Sequence, residues 1–382
     1  MKIGIDASRA FLKQRTGIEE YSYQVIENLT NYLQNEQVIL YIRKNQKIDF
    51  KLPENWKITE IRFPIFWTQF GLSLEMFLHP VEKLFVPAHT VPMIHPRNTI
   101  VTVHGLEYEF LPRAYSWFER FYMRLTIKKS CIWANVIISV SENTKKDLIE
   151  LYGIANEKIK VIYEGYGNKI QNPNDKYQIK SKIRNQKFLL FLGRIEERKN
   201  IANIIKAFDI LKEKYNIPHH LILAGKPGHN YVNIKFQISN SKWNEEIQEF
   251  GFVGDDEKWE LLKNADVFVF PTQYEGFGIP ILEAQSVGCC VVASNNSSIS
   301  EITSCHSGLE PESGLEKAKM QFDTCSAALV DPSNPNEIAE NIFEIISNKE
   351  KKKDLIKKGL KNVKRFDWDQ CAREISVILK GE

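Results

Sequence analysis

Short runs rich in Val, Ile, Leu and Phe recur along this chain at residues 2–5, 38–42, 84–86, 100–103 and 136–139. They return at 188–192, 221–224, 267–270 and 290–293. The runs are continuous rather than alternating. An alternating strand wets one face, whereas a continuous one must be covered on both. Residues 18–33, 117–133, 143–151, 200–215 and 336–348 between and after them carry helical periodicity. Strands buried on both faces and separated by helices specify an α/β fold of parallel sheets. A last helix is expected over 366–379, capped by Asp367 or Asp369.

The runs fall into two series, and the stretch between them is rich in Asn, Lys, Gln and Pro with little apolar periodicity. The chain therefore divides into a Rossmann-like domain at 1–167, a linker at 168–186 and a second Rossmann-like domain at 187–365. Residues 366–382 form the terminal helix, expected to pack back on the first domain. With 382 residues and 43% hydrophobic content there is material for two ordinary cores. The expected architecture is two doubly wound domains facing each other across a cleft, where open α/β sheets bind ligands. Residues 303–322, rich in Ser, Gly, Glu and Lys, break the pattern and are expected to be a mobile surface insertion.

Several classes are excluded by composition. A net charge of +3 with mixed signs does not suit a nucleic-acid binder. The six cysteines show neither a CxxC pair nor metal-ligand spacing, so reduced thiols in a cytoplasmic protein are expected. Asp6 interrupts the first apolar run, which argues against a signal peptide. No segment approaches the ~20 apolar residues of a membrane span.

The chemistry concentrates in Tyr274-Glu275-Gly276-Phe277-Gly278-Ile279-Pro280-Ile281-Leu282-Glu283, directly after the run at 267–270. A strand end, a Gly-x-Gly turn and a helix N-terminus make a natural site for anions and hydroxyls. Upstream, Gly193-Arg194 and Lys199-Asn200 lie in another strand-to-helix loop and could cradle a phosphate. Solvated cations paired with Glu196 and Glu197 are the alternative. Both loops leave strand ends of the same domain, so positive charge for a diphosphate meets carboxylates suited to sugar hydroxyls.

These elements resemble the retaining glycosyltransferases of GT-B architecture, family 4, also called group 1. The resemblance runs through Thr16-Gly17-Ile18-Glu19-Glu20-Tyr21, Phe85-Val86-Pro87-Ala88, Val101-Thr102-Val103-His104, Ser139-Val140-Ser141-Glu142, Gly193-Arg194 with Lys199-Asn200, Ala224-Gly225-Lys226, Gly251-Phe252-Val253 and Glu275 through Glu283. It implies that Arg194 and Lys199 hold the donor diphosphate and that Glu283 binds the ribose hydroxyls. Glu275, with the backbone of Gly276, Phe277 and Gly278, would hold the donor sugar. Gly17 would admit the phosphate or acceptor, His104 would lie against the transferred sugar, and Val253 would border the nucleobase. Gly105 stands where many close relatives carry an aspartate after this histidine.

The implied activity is transfer of a mannose- or glucose-like hexose from a GDP- or UDP-sugar to a hydroxyl acceptor, in cell-surface polysaccharide or lipid-linked glycan assembly. The nucleotide sugar is a co-substrate; no cofactor or metal is required. The one D-x-D string, Asp367-Trp368-Asp369, reads as a helix cap rather than a Mg²⁺ ligand pair. Alternatives on the same fold are a sugar-nucleotide epimerase or hydrolase, or a nucleotide-sugar-binding protein with weak activity. A dehydrogenase is disfavoured because no G-x-G-x-x-G follows the first strand.

Arg120, Arg124 and Lys128 recur at helical spacing, with Trp117, Phe121 and Leu125 on a neighbouring face. A helix contacting an anionic membrane or a lipid-diphosphate acceptor would look this way. So would a solvated cationic face over a core aromatic stripe, the plainer expectation. The aromatic run 63–70 is likewise open between core and acceptor rim.

Overall fold

In the computed structural model, residues 1–167, 186–304 and 325–381 are described. Most of the expected linker and insertion, and Cys305, lie outside them. The chain separates into two compact units. One comprises Met1–Pro112, Ser116–Gly165 and Phe366–Glu382, and the other Arg113–Tyr115 and Tyr166–Arg365.

The first unit carries seven parallel strands: β1 (Lys2–Asp6), β2 (Gln37–Arg43), β3 (Trp56–Ile61), β4 (Lys83–Val86), β5 (Asn98–Val103), β6 (Val136–Ser139) and β7 (Ile159–Val161). They lie in the order β3-β2-β1-β4-β5-β6-β7. The second unit carries β8 (Phe188–Leu192), β9 (His220–Ala224), β10 (Ile247–Gly251), β11 (Val267–Phe270), β12 (Cys290–Ser294) and β13 (Ala328–Val330). Their order is β10-β9-β8-β11-β12-β13. In each sheet the winding direction reverses once, between β1 and β4 and between β8 and β11. Ligands of doubly wound sheets bind beyond the carboxyl ends of the strands at that reversal.

The continuous apolar runs became the strands buried on both faces; β8, β11 and β12 are buried along their whole length. Four further strands were not anticipated: β3, β7, β10 and β13. All four are sheet edges. β3 and β10 mix apolar with polar residues and are only partly covered, while β7 and β13 have three residues each. The edges β3, β7 and β10 are partly solvated and lack the unbroken apolar run, whereas β13 is buried but too short to stand out.

The last helix, Trp368–Lys380, belongs to the first unit and packs on the helix Gly17–Leu29. Asp367 caps it by accepting from the Asp369 amide at 3.2 Å, and Asp369 accepts from the Tyr32 hydroxyl at 2.5 Å. Both aspartates of the D-x-D string are thus engaged in holding this helix. The five described cysteines are free and buried. Among the described residues no helix is long and apolar enough to cross a membrane.

The plainer expectation for the helix Trp117–Trp133 is reversed. Its buried residues are Ile127, Ser130 and Cys131, all in the C-terminal half. The aromatic stripe is exposed: Trp117 is 80% and Phe118 67% accessible, and Phe121 and Leu125 are also exposed. The two arginines are tied down instead. Arg124 forms an ion pair with Glu109, and Arg120 donates to the Tyr108 carbonyl at 2.9 Å. Phe66 lies 6.5 Å from Tyr122 of this helix, joining it to the exposed Ile65, Phe66 and Phe70. The run 63–70 is therefore surface apart from Trp67.

Candidate active site

In the second unit the two strands at the reversal deliver the candidate residues. Gly193 follows β8, and its amide donates to the Ala224 carbonyl at 2.9 Å. A Cβ on Gly225 would stand 1.7 Å from the Gly193 carbonyl oxygen, so only glycine lets the loops after β8 and β9 run in contact. Arg194 projects from this crossing with 57% of its side chain accessible, 3.9 Å from Glu196.

Lys199 is not a solvated cation. It is buried and forms an ion pair with Glu275, which follows β11. Glu196 is instead engaged by Arg198 at 2.5 Å. Burial, helped by the Arg198 charge, pulls Lys199 below the usual lysine range against the opposing pull of Glu275. An incoming phosphate would supply the additional negative charge that this buried ammonium favours. Asn200 fixes the turn by donating to the carbonyls of Pro271 at 2.9 Å and Pro332 at 2.6 Å.

The Gly-x-Gly turn is held from the side by the helix Ser297–Thr303. The Glu275 amide donates to Ser297 Oγ at 3.1 Å. Ser298 Oγ donates to the carbonyls of Glu275 at 2.9 Å and Phe277 at 2.8 Å. Phe277 and Gly278 are buried, while Glu275 and Gly276 are partly accessible. Glu283 lies on the helix Ile279–Ser286, 6% exposed, and accepts from Lys258 Nζ at 2.7 Å. Burial opposes the charge on Lys258, but Glu283 and Asp255 outweigh it and hold the ammonium above the usual lysine range. Val253, expected at the nucleobase, has its side chain in the core; its neighbour Phe252 is exposed, with Lys226 Nζ 4.6 Å above its ring.

The second unit thus brings Gly193, Arg194, Lys199, Glu275, Gly276, Phe277, Gly278 and Glu283 to the ends of β8 and β11. Lys258, Ser297 and Ser298 were not anticipated. Lys258 lies on the helix Asp255–Asn264, whose acidic start hides its periodicity.

In the first unit, Gly17 opens the helix that follows β1, and a Cβ built there meets nothing within 4 Å. The chain's own packing does not demand glycine at this point. His104 follows β5, with Nδ1 3.0 Å from Glu164 Oε1 and Nε2 2.9 Å from the Pro87 carbonyl oxygen. Pro87 follows β4, at the reversal. Among the described residues no group of three or more His, Cys, Asp or Glu side chains is placed to hold a metal ion.

Comparison with known sequences decides the family. Residues 173–362 match the glycosyl transferases group 1 profile, and residues 82–166 match that of glycosyltransferase family 4. The chain belongs to the group 1, family 4 glycosyltransferases. O-antigen chain mannosyltransferase B of Escherichia coli is 25% identical to this glycosyltransferase over 285 residues, covering 72% of this chain and 68% of that protein. O-antigen chain mannosyltransferase RfbU of Salmonella typhimurium is 25% identical over 296 residues, covering 74% and 79% respectively. The solved structure of Alr3699/HepE from Anabaena in complex with UDP and glucose is similar with a TM-score of 0.71 and 18% identity, over 100% of this chain and 99% of that one. The two parallel-sheet units of this glycosyltransferase are those of the GT-B architecture.

Proposed function

We propose that this glycosyltransferase moves mannose, or a closely similar hexose, from a GDP- or UDP-activated donor to a hydroxyl of a glycan or lipid-linked acceptor, with retention and without a metal. The observation that carries the reading is the pair of lysine–carboxylate contacts, Lys199–Glu275 and Lys258–Glu283, beyond the strands at the reversal of the second sheet. Cations for a diphosphate and acids for hydroxyls stand together there. The names of the E. coli and Salmonella relatives support mannose and cell-surface polysaccharide assembly.

In this reading Arg194 and Lys199 neutralise the departing diphosphate, whose acidity makes fixed positive charge more useful than a proton donor. Glu283 accepts from the ribose hydroxyls, and Glu275 with the backbone of Gly276, Phe277 and Gly278 holds the sugar. The core position of Val253 leaves its backbone to border the base. Glu275 and Glu283 are not a hydrolase pair, since one carboxylate serves the ribose rather than the anomeric carbon. The acceptor hydroxyl attacks on the face from which the diphosphate leaves, through an oxocarbenium-like state, and its proton passes to a departing phosphate oxygen. Gly17 and His104 serve the acceptor and the reacting sugar.

The test uses labelled GDP-mannose and UDP-hexoses with a lipid-linked acceptor in EDTA. The expected result is acceptor-dependent nucleotide release, with the donor's anomeric configuration kept in the product. Turnover indifferent to acceptor would favour an epimerase or hydrolase. Donor binding with no turnover would favour a nucleotide-sugar-binding protein. Collapse in EDTA with recovery in Mg²⁺ or Mn²⁺ would contradict the metal-free reading.

We further propose a cytoplasmic enzyme peripheral at the inner face of the cell membrane. The exposed Trp117, Phe118 and Phe121, with the exposed Lys128 and Lys129 further along the same helix, suit an anionic lipid interface. Wild type should co-sediment with anionic vesicles, and Trp117→Ser, Phe118→Ser, Phe121→Ser should stay in the supernatant. Equal sedimentation of the two would overturn this placement.

A further inference from the structure

We propose that Glu164 is the positioning residue that fixes the ring orientation and proton placement of His104, an inference that rests on the transferase reading for its role in turnover. His104 lacks a carboxylate next in the chain, because Gly105 follows it. The backbone at Gly105 has φ +152°, a conformation that L side chains rarely adopt. In this conformation the carboxylate must come from elsewhere, and it arrives from sixty residues away.

Glu164 lies beyond the carboxyl end of β7, where the Ile162 amide still pairs with the Ser139 carbonyl of β6 at 3.0 Å. It is 4% exposed, and among the described residues its one ion-pair partner is His104. A buried carboxylate without a partner is costly, so the contact constrains both groups. The Pro87 carbonyl can only accept, which requires the proton on Nε2. The remaining nitrogen, Nδ1, shares a proton with Glu164. Both ring nitrogens of His104 are thereby engaged, and neither keeps a free lone pair with which to act as a base. This agrees with an acceptor proton that leaves on the diphosphate.

The groups around the imidazole leave this assignment in place. Tyr21 packs edge-on at 4.5 Å between ring centroids, but its hydroxyl is bonded to Thr102 Oγ1 at 3.1 Å. His89 accepts the His104 amide through Nδ1 at 3.4 Å. Burial, then the charges of His104 and Arg9, hold His89 well below the usual histidine range, so that lone pair is available. From the final helix, Cys371 stands near Glu164 with its thiol pushed up by burial and then by that carboxylate.

The experiment compares wild type with the near-isosteric Glu164→Gln and with Glu164→Asp, which keeps the charge. Ring ¹⁵N spectra of His104 are recorded against pH without substrate, and kcat and KM are measured with donor and acceptor. In Glu164→Gln the His104 ring ¹⁵N signals should move, because an amide replaces the carboxylate that faces Nδ1 at 3.0 Å. Its kcat should fall by about a hundredfold, the scale of a misplaced group at a reaction centre, with donor KM little changed. Glu164→Asp, which keeps a carboxylate, should recover the wild-type ring signals in part. Identical ring spectra in wild type and Glu164→Gln would overturn the proposal, as would a kcat loss with unmoved ring signals. The spectral arm is independent of turnover. Moved signals in a protein that transfers no sugar would therefore uphold the positioning and count against the transferase reading instead.

Discussion

Arg194→Ala is expected to lower kcat by about a hundred- to a thousandfold, the loss seen when one donor to a developing anion is removed. The folded protein should be unaffected, because more than half of this side chain is accessible and its distance to Glu196 is 3.9 Å. Lys199→Ala should lower kcat similarly but also cost stability. It leaves Glu275 largely buried without its cation, and breaking a buried pair costs about 3–5 kcal/mol. The two variants therefore separate charge stabilisation from folding: equal kcat losses with unequal melting points are the expected pattern. Near-normal turnover by the double variant, folded and saturated with donor, would remove both cations from the account.

Glu283→Ala should weaken nucleoside diphosphate binding by about a hundredfold, as two charge-assisted hydrogen bonds to a vicinal diol are lost. The sharper readout is the ligand. A 2′,3′-dideoxynucleoside diphosphate offers no diol, so it should bind wild type and variant with similar weakness. Lys258→Met should give a milder loss, since Lys258 touches Glu283 and has no assigned contact with the nucleotide. If Glu283→Ala discriminates between ribo- and dideoxynucleotide as strongly as wild type, the carboxylate does not serve the ribose.

Legibility followed burial. Long strands covered on both faces were readable as apolar runs; the partly solvated edges β3, β7 and β10 and the buried but three-residue β13 were not. The candidate acids and cations were readable because motif spacing ties them to strand ends. Their partners were not. Lys199 meets Glu275 from 76 residues away, His104 meets Glu164 from 60, and Lys258 meets Glu283 from 25. Such contacts depend on sheet order, which no local pattern encodes. The helix Trp117–Trp133 shows a related limit. Periodicity showed that Trp117, Phe121 and Leu125 share a face, but only the packing of Ile127 and Cys131 determined which face is covered.

The central claim is that the second unit binds a nucleoside-diphosphate sugar through Arg194, Lys199 and Glu283. Thermal melting of wild type against UDP-, GDP- and ADP-sugars tests it most directly. One donor at a hundred times its Kd should stabilise the protein by about 2.7 kcal/mol, which is roughly 5–10 °C for a cooperative unit of this size. That shift should vanish in Glu283→Ala. Melting points that ignore every nucleotide sugar, or a shift that survives unchanged in Glu283→Ala, would contradict the account.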